Sequence, residues 1–146
     1  MSDDRLYLDT SALAKWYIEE DGSADFEKFI RARDSACISR LTVVELRCLL
    51  SRRRRNTDIS AALERAIARQ FDVHVRDGIL DVLPLEDQHV AEAAAMIEKL
   101  HRIPLRTLDS LHLSVARASR IDTIATADHT MARAAKALKF QVHSFG

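Results

Sequence analysis

The sequence predicts a three-layer α/β/α fold in which helices cover both faces of a mostly parallel, roughly five-stranded central sheet. Five short apolar runs alternate with amphipathic segments along the whole chain, and this order is typical of parallel strands connected by helices. Only 3 glycines and 2 prolines occur among 146 residues, which leaves little room for the tight turns of an all-β protein. Because this length suits one core, we expect a single domain over residues 1–146.

Each element has a local justification. The apolar runs predict strands at 6–8, 36–38, 79–83, 123–125 and 140–143. Helical periodicity predicts helices at 10–18, 24–32, 42–50, 58–71, 87–100, 105–118 and 128–138. Gly22 separates the first two helices, Pro84 ends the third strand, and Pro104 interrupts the chain before the sixth helix. A capping box formed by Thr42 and Glu45 is expected to open the third helix.

The bulk composition restricts the classes of function. The formal net charge is +0, so a strongly basic nucleic-acid footprint is absent overall. The basic run 52–55 can grip RNA phosphates, or it can be the solvated end of a helix. Cys37 and Cys48 lack zinc-type spacing and are expected to be reduced thiols in the core. No signal-peptide pattern or membrane-length apolar run occurs, so we expect a cytoplasmic protein.

Two aspartates follow predicted strands. Asp9 comes directly after the first strand, and Asp128 follows the fourth strand after a two-residue link. Ligands of open α/β sheets bind beyond the carboxyl ends of the strands, so both carboxylates are expected at the binding edge. Each can also serve only as the cap of the helix that follows it.

Two further acids interrupt apolar helix faces. Glu45 and Asp109 each have a leucine four residues before them and another four residues after them. A buried carboxylate is costly unless it becomes protonated or finds a cation. Local alternatives exist here too, because Glu45 can complete the capping box with Thr42, and Asp109 can pair with Arg106.

The four acids together predict a metal site. Carboxylates gathered at one edge repel one another, and a divalent cation removes that cost. Mg²⁺ and Mn²⁺ prefer hard oxygen ligands, and such ions can activate water and stabilise charge on a phosphate group. A carboxylate cluster without His or Cys ligands therefore favours phosphodiester hydrolysis over zinc chemistry.

Four motifs resemble those of PIN-domain nucleases, in the same order. They are LDTSAL at 8–13, TVVEL at 42–46, LDSLHL at 108–113 and IATAD at 124–128. The size of the chain is similar to that of the stand-alone VapC toxins of toxin–antitoxin pairs. The resemblance implies a PIN-like fold and a Mg²⁺- or Mn²⁺-dependent endoribonuclease.

The same resemblance implies roles for individual residues. It implies metal ligands at Asp9 and Asp109, with Glu45 and Asp128 completing the acidic pocket directly or through water.

Supporting residues and partners follow from the family pattern as well. The resemblance places Ser11 and Thr126 where a hydroxyl or nearby backbone supports the pocket. It also implies an RNA substrate, a homodimer and a VapB-type antitoxin. One position departs from the pattern, because His112 stands where family members often carry a small or apolar residue. Lys15, one helical turn after Ser11, is a further candidate for facing the pocket.

Two other functions remain open from the sequence. Asp9 at a strand end could accept a phosphoryl group, as in haloacid-dehalogenase-like phosphatases, although these usually carry a second aspartate where this chain has Ser11. Alternatively, the protein could be a non-catalytic binding module whose acidic pocket holds basic side chains of a partner.

Overall fold

A computed structural model describes residues 5–146, so residues 1–4 of the expected domain lie outside the described part. The strands are β1 (Leu6–Leu8), β2 (Ala36–Ser39), β3 (Leu80–Leu83), β4 (Thr123–Thr126) and β5 (Gln141–Ser144). The helices are α1 (Thr10–Tyr17), α2 (Ser23–Arg31), α3 (Arg40–Arg55), α4 (Ala61–Arg76), α5 (Asp87–Lys99), α6 (Thr107–Ala118) and α7 (His129–Ala137). No helix within residues 5–146 combines the length and apolarity needed to cross a membrane.

The five strands form one sheet in the order β3-β2-β1-β4-β5, and every neighbouring pair is parallel. The predicted α/β class with a five-stranded sheet is confirmed, and the sheet is entirely rather than mostly parallel. The strand order reverses between β1 and β4, which makes their carboxyl ends the switch point where such sheets bind ligands. In the register of these strands, Leu8 lies beside Ala125, so Asp9 and Thr126 follow at the same level along the sheet.

The sheet separates two apolar cores. Leu6 and Leu8 face one core together with residues of α1 to α4, whereas Tyr7 faces the other core together with residues of α6 and α7. Successive side chains of a strand point to opposite faces. Because both faces are covered, all three residues are fully buried, and this explains why the strand reads as a continuous apolar run.

Helix α3 begins earlier and ends later than predicted. Ser39 is its N-cap, and the Thr42 hydroxyl accepts a hydrogen bond from the Ser39 backbone N–H at 3.4 Å. The expected capping box between Thr42 and Glu45 is therefore wrong, since Thr42 lies inside the helix. Glu45 is consequently one turn further into the helix, where its side chain is available for contacts outside α3.

Candidate active site

A cavity of about 300 Å³ opens beside the carboxyl ends of β1 and β4, at the switch point of the sheet. All four predicted acids line it, although they lie up to 119 residues apart in the sequence. Its charged lining consists of Asp9, Glu45, Asp109, Asp128, Arg52 and Arg106. The fold thus gathers the acids from the end of β1, from α3, from α6 and from the segment after β4.

Asp9 is held on both carboxylate oxygens. Its Oδ1 accepts hydrogen bonds from the Ser11 hydroxyl at 2.7 Å and from the Ala12 backbone N–H at 2.9 Å. Its Oδ2 accepts one from the Thr126 hydroxyl at 2.5 Å. A carboxylate oxygen can accept two such interactions, so Oδ2 retains capacity for a further ligand while Oδ1 is satisfied.

The two hydroxyls beside Asp9 also connect it to the segment after β4. Ser11 Oγ accepts a hydrogen bond from the Ala127 N–H at 2.8 Å, and Thr126 Oγ1 accepts one from the Asp128 N–H at 3.0 Å. Burial raises the pKa of Asp9, against the lowering effect of the hydrogen bond from Thr126. Asp9 is therefore a desolvated carboxylate in a fixed position, and a nearby cation would stabilise its charged form.

Glu45 reaches the cavity from α3 and is oriented by three other residues. Its Oε1 accepts hydrogen bonds from the Thr10 hydroxyl at 2.8 Å and from His112 Nε2 at 2.5 Å. The other ring nitrogen of His112, Nδ1, lies 2.6 Å from the Tyr7 hydroxyl. His112 and Tyr7 are buried, so this chain of hydrogen bonds fixes the Glu45 carboxylate from the interior of the protein.

The two ends of this chain of hydrogen bonds differ in charge. Burial raises the pKa of the Tyr7 hydroxyl far above its usual value, so the hydroxyl keeps its proton and is able to donate it to Nδ1 of His112. An ionised carboxylate only accepts hydrogen bonds, so Nε2 of His112 carries a proton and donates the hydrogen bond to Glu45 Oε1. Burial alone would raise the pKa of Glu45, but the hydrogen bonds that it accepts from His112 and Thr10, together with the charge of Arg106, outweigh this effect, and the pKa is lowered. Glu45 therefore stays ionised despite its position.

Asp109 and Asp128 are joined by one guanidinium group. Arg106 Nε donates to Asp109 Oδ2 at 3.2 Å, and Nη2 donates to Asp128 Oδ2 at 2.5 Å. The second oxygen of Asp128 accepts the Met131 N–H at 2.9 Å and caps α7. Burial raises the pKa of Asp109, and the hydrogen bond from Arg106 opposes this effect. The capping of α7 and the ion pair with Arg106, both expected as local alternatives, are present alongside the shared cavity.

The PIN domain family model matches residues 6–137, which is most of the chain. The chain belongs to the PIN domain family. No curated protein sequence matches it significantly.

Several solved structures share this PIN fold at low sequence identity. Mycobacterium tuberculosis VapC20, described as a sarcin–ricin loop cleaving toxin, has 16% identity over 92% of this chain and 95% of its own, with a TM-score of 0.72. DNA-bound VapBC from Salmonella typhimurium has 20% identity over 97% of this chain and 98% of that chain, with a TM-score of 0.65. FitAcB from Neisseria gonorrhoeae has 17% identity over 97% of this chain and 96% of that chain, with a TM-score of 0.68. At these identities the similarity establishes the fold.

The donor chemistry of this PIN-domain cavity fits a hard divalent cation. As the side chains stand, no group of three or more His, Cys, Asp or Glu residues within 5–146 is arranged to hold a metal. In this arrangement Asp109 and Asp128 bind Arg106, while Glu45 binds His112. The guanidinium of Arg106 is itself a cation between two carboxylates, and it marks the place where positive charge is stabilised. Oxygen ligands without thiolates are what Mg²⁺ and Mn²⁺ prefer.

The basic run at the end of α3 divides into two groups. Arg53 pairs with Glu20 at 2.8 Å, and Arg54 pairs with Glu64 at 3.1 Å. Arg55 donates to the hydroxyl of the serine one turn before it. Arg52 instead lines the acidic cavity. The run is therefore a charged helix end for three of its members, and Arg52 brings positive charge to the site.

Two expectations about residues near the site are wrong. Lys15 turns away from the cavity, because its Nζ binds the Glu20 carboxylate at 3.2 Å and the Asp21 carbonyl oxygen. Cys48 is exposed and lies on the cavity wall rather than in the core, whereas Cys37 is buried as expected. The error for Cys48 arises because α3 carries both core residues and residues of the cavity wall, and position in an apolar sequence run does not tell which residue lies at the rim.

Proposed function

We propose that this PIN-domain protein is a metal-dependent endoribonuclease and the toxin of a VapBC-type toxin–antitoxin pair. The observation that carries the proposal is the convergence of four carboxylates from four separate motifs on one cavity at the switch point of the sheet. A structural role explains some of these acids singly, but it does not require them to share a cavity. The RNA substrate class rests on family membership.

The proposal assigns a Mg²⁺ or Mn²⁺ ion to Asp9 and Asp109, with Glu45 and Asp128 completing the set directly or through water. When bound, such an ion supplies Lewis-acid stabilisation of phosphate charge and lowers the pKa of water. Asp9 and Asp109 suit this role because burial raises the pKa of each carboxyl, and a nearby cation offsets that cost.

The remaining side chains have positioning roles in this proposal. Ser11 and Thr126 hold the Asp9 carboxylate on both oxygens, so its position is set before any ligand arrives. His112 does the same for Glu45, which keeps it ionised and able to accept a proton. Arg52 on the cavity wall offers a contact for the RNA phosphate backbone.

Two solved relatives support an antitoxin as the partner of this chain. The Salmonella typhimurium structure and one from Rickettsia felis are VapBC assemblies bound to DNA. Their fold matches nearly the whole of this chain, which supports a VapB-type antitoxin as its partner. Homodimer formation and a cytoplasmic location stay predictions.

A cleavage assay tests the proposal. Wild-type protein should cleave total RNA with Mg²⁺ or Mn²⁺ and lose this activity in EDTA. Asp9→Asn should lower the rate at least about a hundredfold, because even outer partners of metal ligands cost 10- to 100-fold. Asp81→Asn, a matched change at an exposed aspartate of the edge strand β3, should cleave as the wild type does. Full activity of Asp9→Asn, or in EDTA, contradicts the proposal.

One observation favours a second candidate, the non-catalytic binding module. The cavity already holds a guanidinium between Asp109 and Asp128, so its acids are suited to an arginine from a partner. Calorimetry with Mn²⁺ separates the two candidates. Absence of Mn²⁺ binding together with binding of an arginine-containing antitoxin segment would favour the binding module.

A further inference from the structure

Arg106 occupies the acid cluster in a way that the nuclease function does not explain. It lies immediately before α6, and its guanidinium bridges Asp109 and Asp128 with two different nitrogens. These carboxylates are among the proposed metal ligands. A divalent cation and a guanidinium would compete for the same oxygens, since each oxygen has limited lone-pair capacity and the two cations repel each other.

The backbone of Arg106 is fixed, whereas its guanidinium group is free to move. Its backbone carbonyl oxygen accepts the Ser110 N–H at 3.1 Å in the first turn of α6, and the preceding Leu105 is buried in the core. The side chain, in contrast, is 69% exposed. Exposed side chains change rotamer within picoseconds to nanoseconds, so the guanidinium can leave the two carboxylates without any change in the backbone.

Space for the displaced guanidinium lies next to the acid cluster. A second cavity of about 310 Å³ is lined by Arg106 itself, by Thr107 and Leu108 of the same turn, and by Glu45 and Asp109. The side chain therefore has a second open position on its own side of the site.

We propose that Arg106 is an internal counter-ion of the acid cluster, which neutralises Asp109 and Asp128 in the metal-free protein and is displaced when a divalent cation binds. This inference rests on the proposed metal-dependent function and adds a regulatory property to it. The metal affinity of the wild-type protein is then lower than its carboxylates alone would give, because each binding event must first break two ion pairs.

Removal of the guanidinium tests this property through metal affinity, without RNA or catalysis. Mn²⁺ alone is titrated by calorimetry into the wild type, Arg106→Gln and Arg52→Gln at one pH and low salt. Arg52 is the matched control, since it lines the same cavity and its loss removes the same charge without breaking the bridge. Thermal unfolding of the metal-free proteins establishes that each variant is folded, and Arg106→Lys serves as a milder second variant.

Loss of the counter-ion and loss of the metal site would have different effects on Mn²⁺ affinity. Exposed ion pairs are weak singly, so we expect Arg106→Gln to bind Mn²⁺ about tenfold more tightly, which corresponds to 1.4 kcal/mol. Arg52→Gln should bind Mn²⁺ less than about threefold more tightly than the wild type, since it removes only a screened electrostatic repulsion of the metal ion. The Mn²⁺ affinity of Arg106→Lys should lie between those of the wild type and Arg106→Gln. Equal affinities of Arg106→Gln and Arg52→Gln overturn the counter-ion while leaving the metal site intact. Absence of Mn²⁺ binding in every protein overturns the metal-dependent function itself, and the counter-ion with it.

Discussion

Thr126 offers the sharpest test of how the candidate site is built. Thr126 is fully buried, and its hydroxyl donates a hydrogen bond to Asp9 Oδ2 at 2.5 Å. The hydroxyl oxygen of Thr126 also accepts a hydrogen bond from the Asp128 N–H at 3.0 Å. Thr126→Val keeps the shape but removes both interactions. A hydrogen bond to a charged group contributes about 1.5–3 kcal/mol, and an unsatisfied donor costs about 1–3 kcal/mol. Because the Asp128 N–H is only partly buried, we expect a total loss of about 3 kcal/mol.

Urea unfolding followed by circular dichroism measures this loss, with Thr126→Ser as the matched control. Serine keeps the hydroxyl and loses one methyl group, so it should cost only about 1 kcal/mol. Loss of the hydrogen bond also raises the pKa of Asp9 further, because the Thr126 hydroxyl acts to lower it. Mn²⁺ affinity at neutral pH should therefore fall about tenfold in Thr126→Val. Equal stability and equal Mn²⁺ affinity of the two variants would refute this account of the site.

Three further predictions concern charge, backbone and substrate. Glu45→Gln should cost about 1 kcal/mol at neutral pH. Folding lowers the pKa of Glu45, so its ionised carboxylate contributes to the free energy of unfolding above the ordinary pKa of 4.5, and this contribution is lost as the pH falls through the folded pKa. Urea titrations at several pH values should therefore show that the stability difference between Glu45→Gln and the wild type vanishes in acid. Gly22→Ala should cost at least about 2 kcal/mol, since φ is +88° and a Cβ would lie 2.4 Å from a backbone carbonyl oxygen. Gly78→Ala, with φ +77° and no atom near the added Cβ, should cost about 1 kcal/mol in the same urea titrations. Arg52→Gln should weaken RNA binding in EDTA and lower the salt slope by about 1, whereas an unchanged slope, or an equal effect of Arg55→Gln, would place the phosphate contact elsewhere.

The strands were predictable because burial on both faces of a parallel sheet requires a continuous run of apolar residues. The run 6–8 is apolar without alternation, and the structure buries all three side chains. Helix ends were less predictable. Ser39 and Ser60 cap α3 and α4, whereas the sequence predicted that these helices begin at Thr42 and Asp58. Several polar residues near each start have capping chemistry, and only the backbone conformation selects one of them.

The acids of the candidate site were predictable from the sequence, whereas the residues that bind them were not. The position after a strand indicated Asp9, and the interrupted apolar face indicated Glu45. The partner of Glu45 is His112, which lies 67 residues away in the sequence, and no local pattern indicates a contact over that separation. Arg106 and the metal had been alternatives for Asp109, whereas the structure gives this carboxylate both a cavity and an arginine partner.

The most direct test of the central claim compares metal binding with RNA cleavage in the same protein. Calorimetry gives the Mn²⁺ concentration at half saturation, and a titration of the cleavage rate gives the concentration at half activity. The two concentrations should agree in the wild type, and Asp109→Asn should weaken binding and lower the cleavage rate together. Cleavage that persists in EDTA, or that survives in Asp109→Asn after Mn²⁺ binding is lost, would contradict the claim that the acid cavity is the metal-dependent nuclease site.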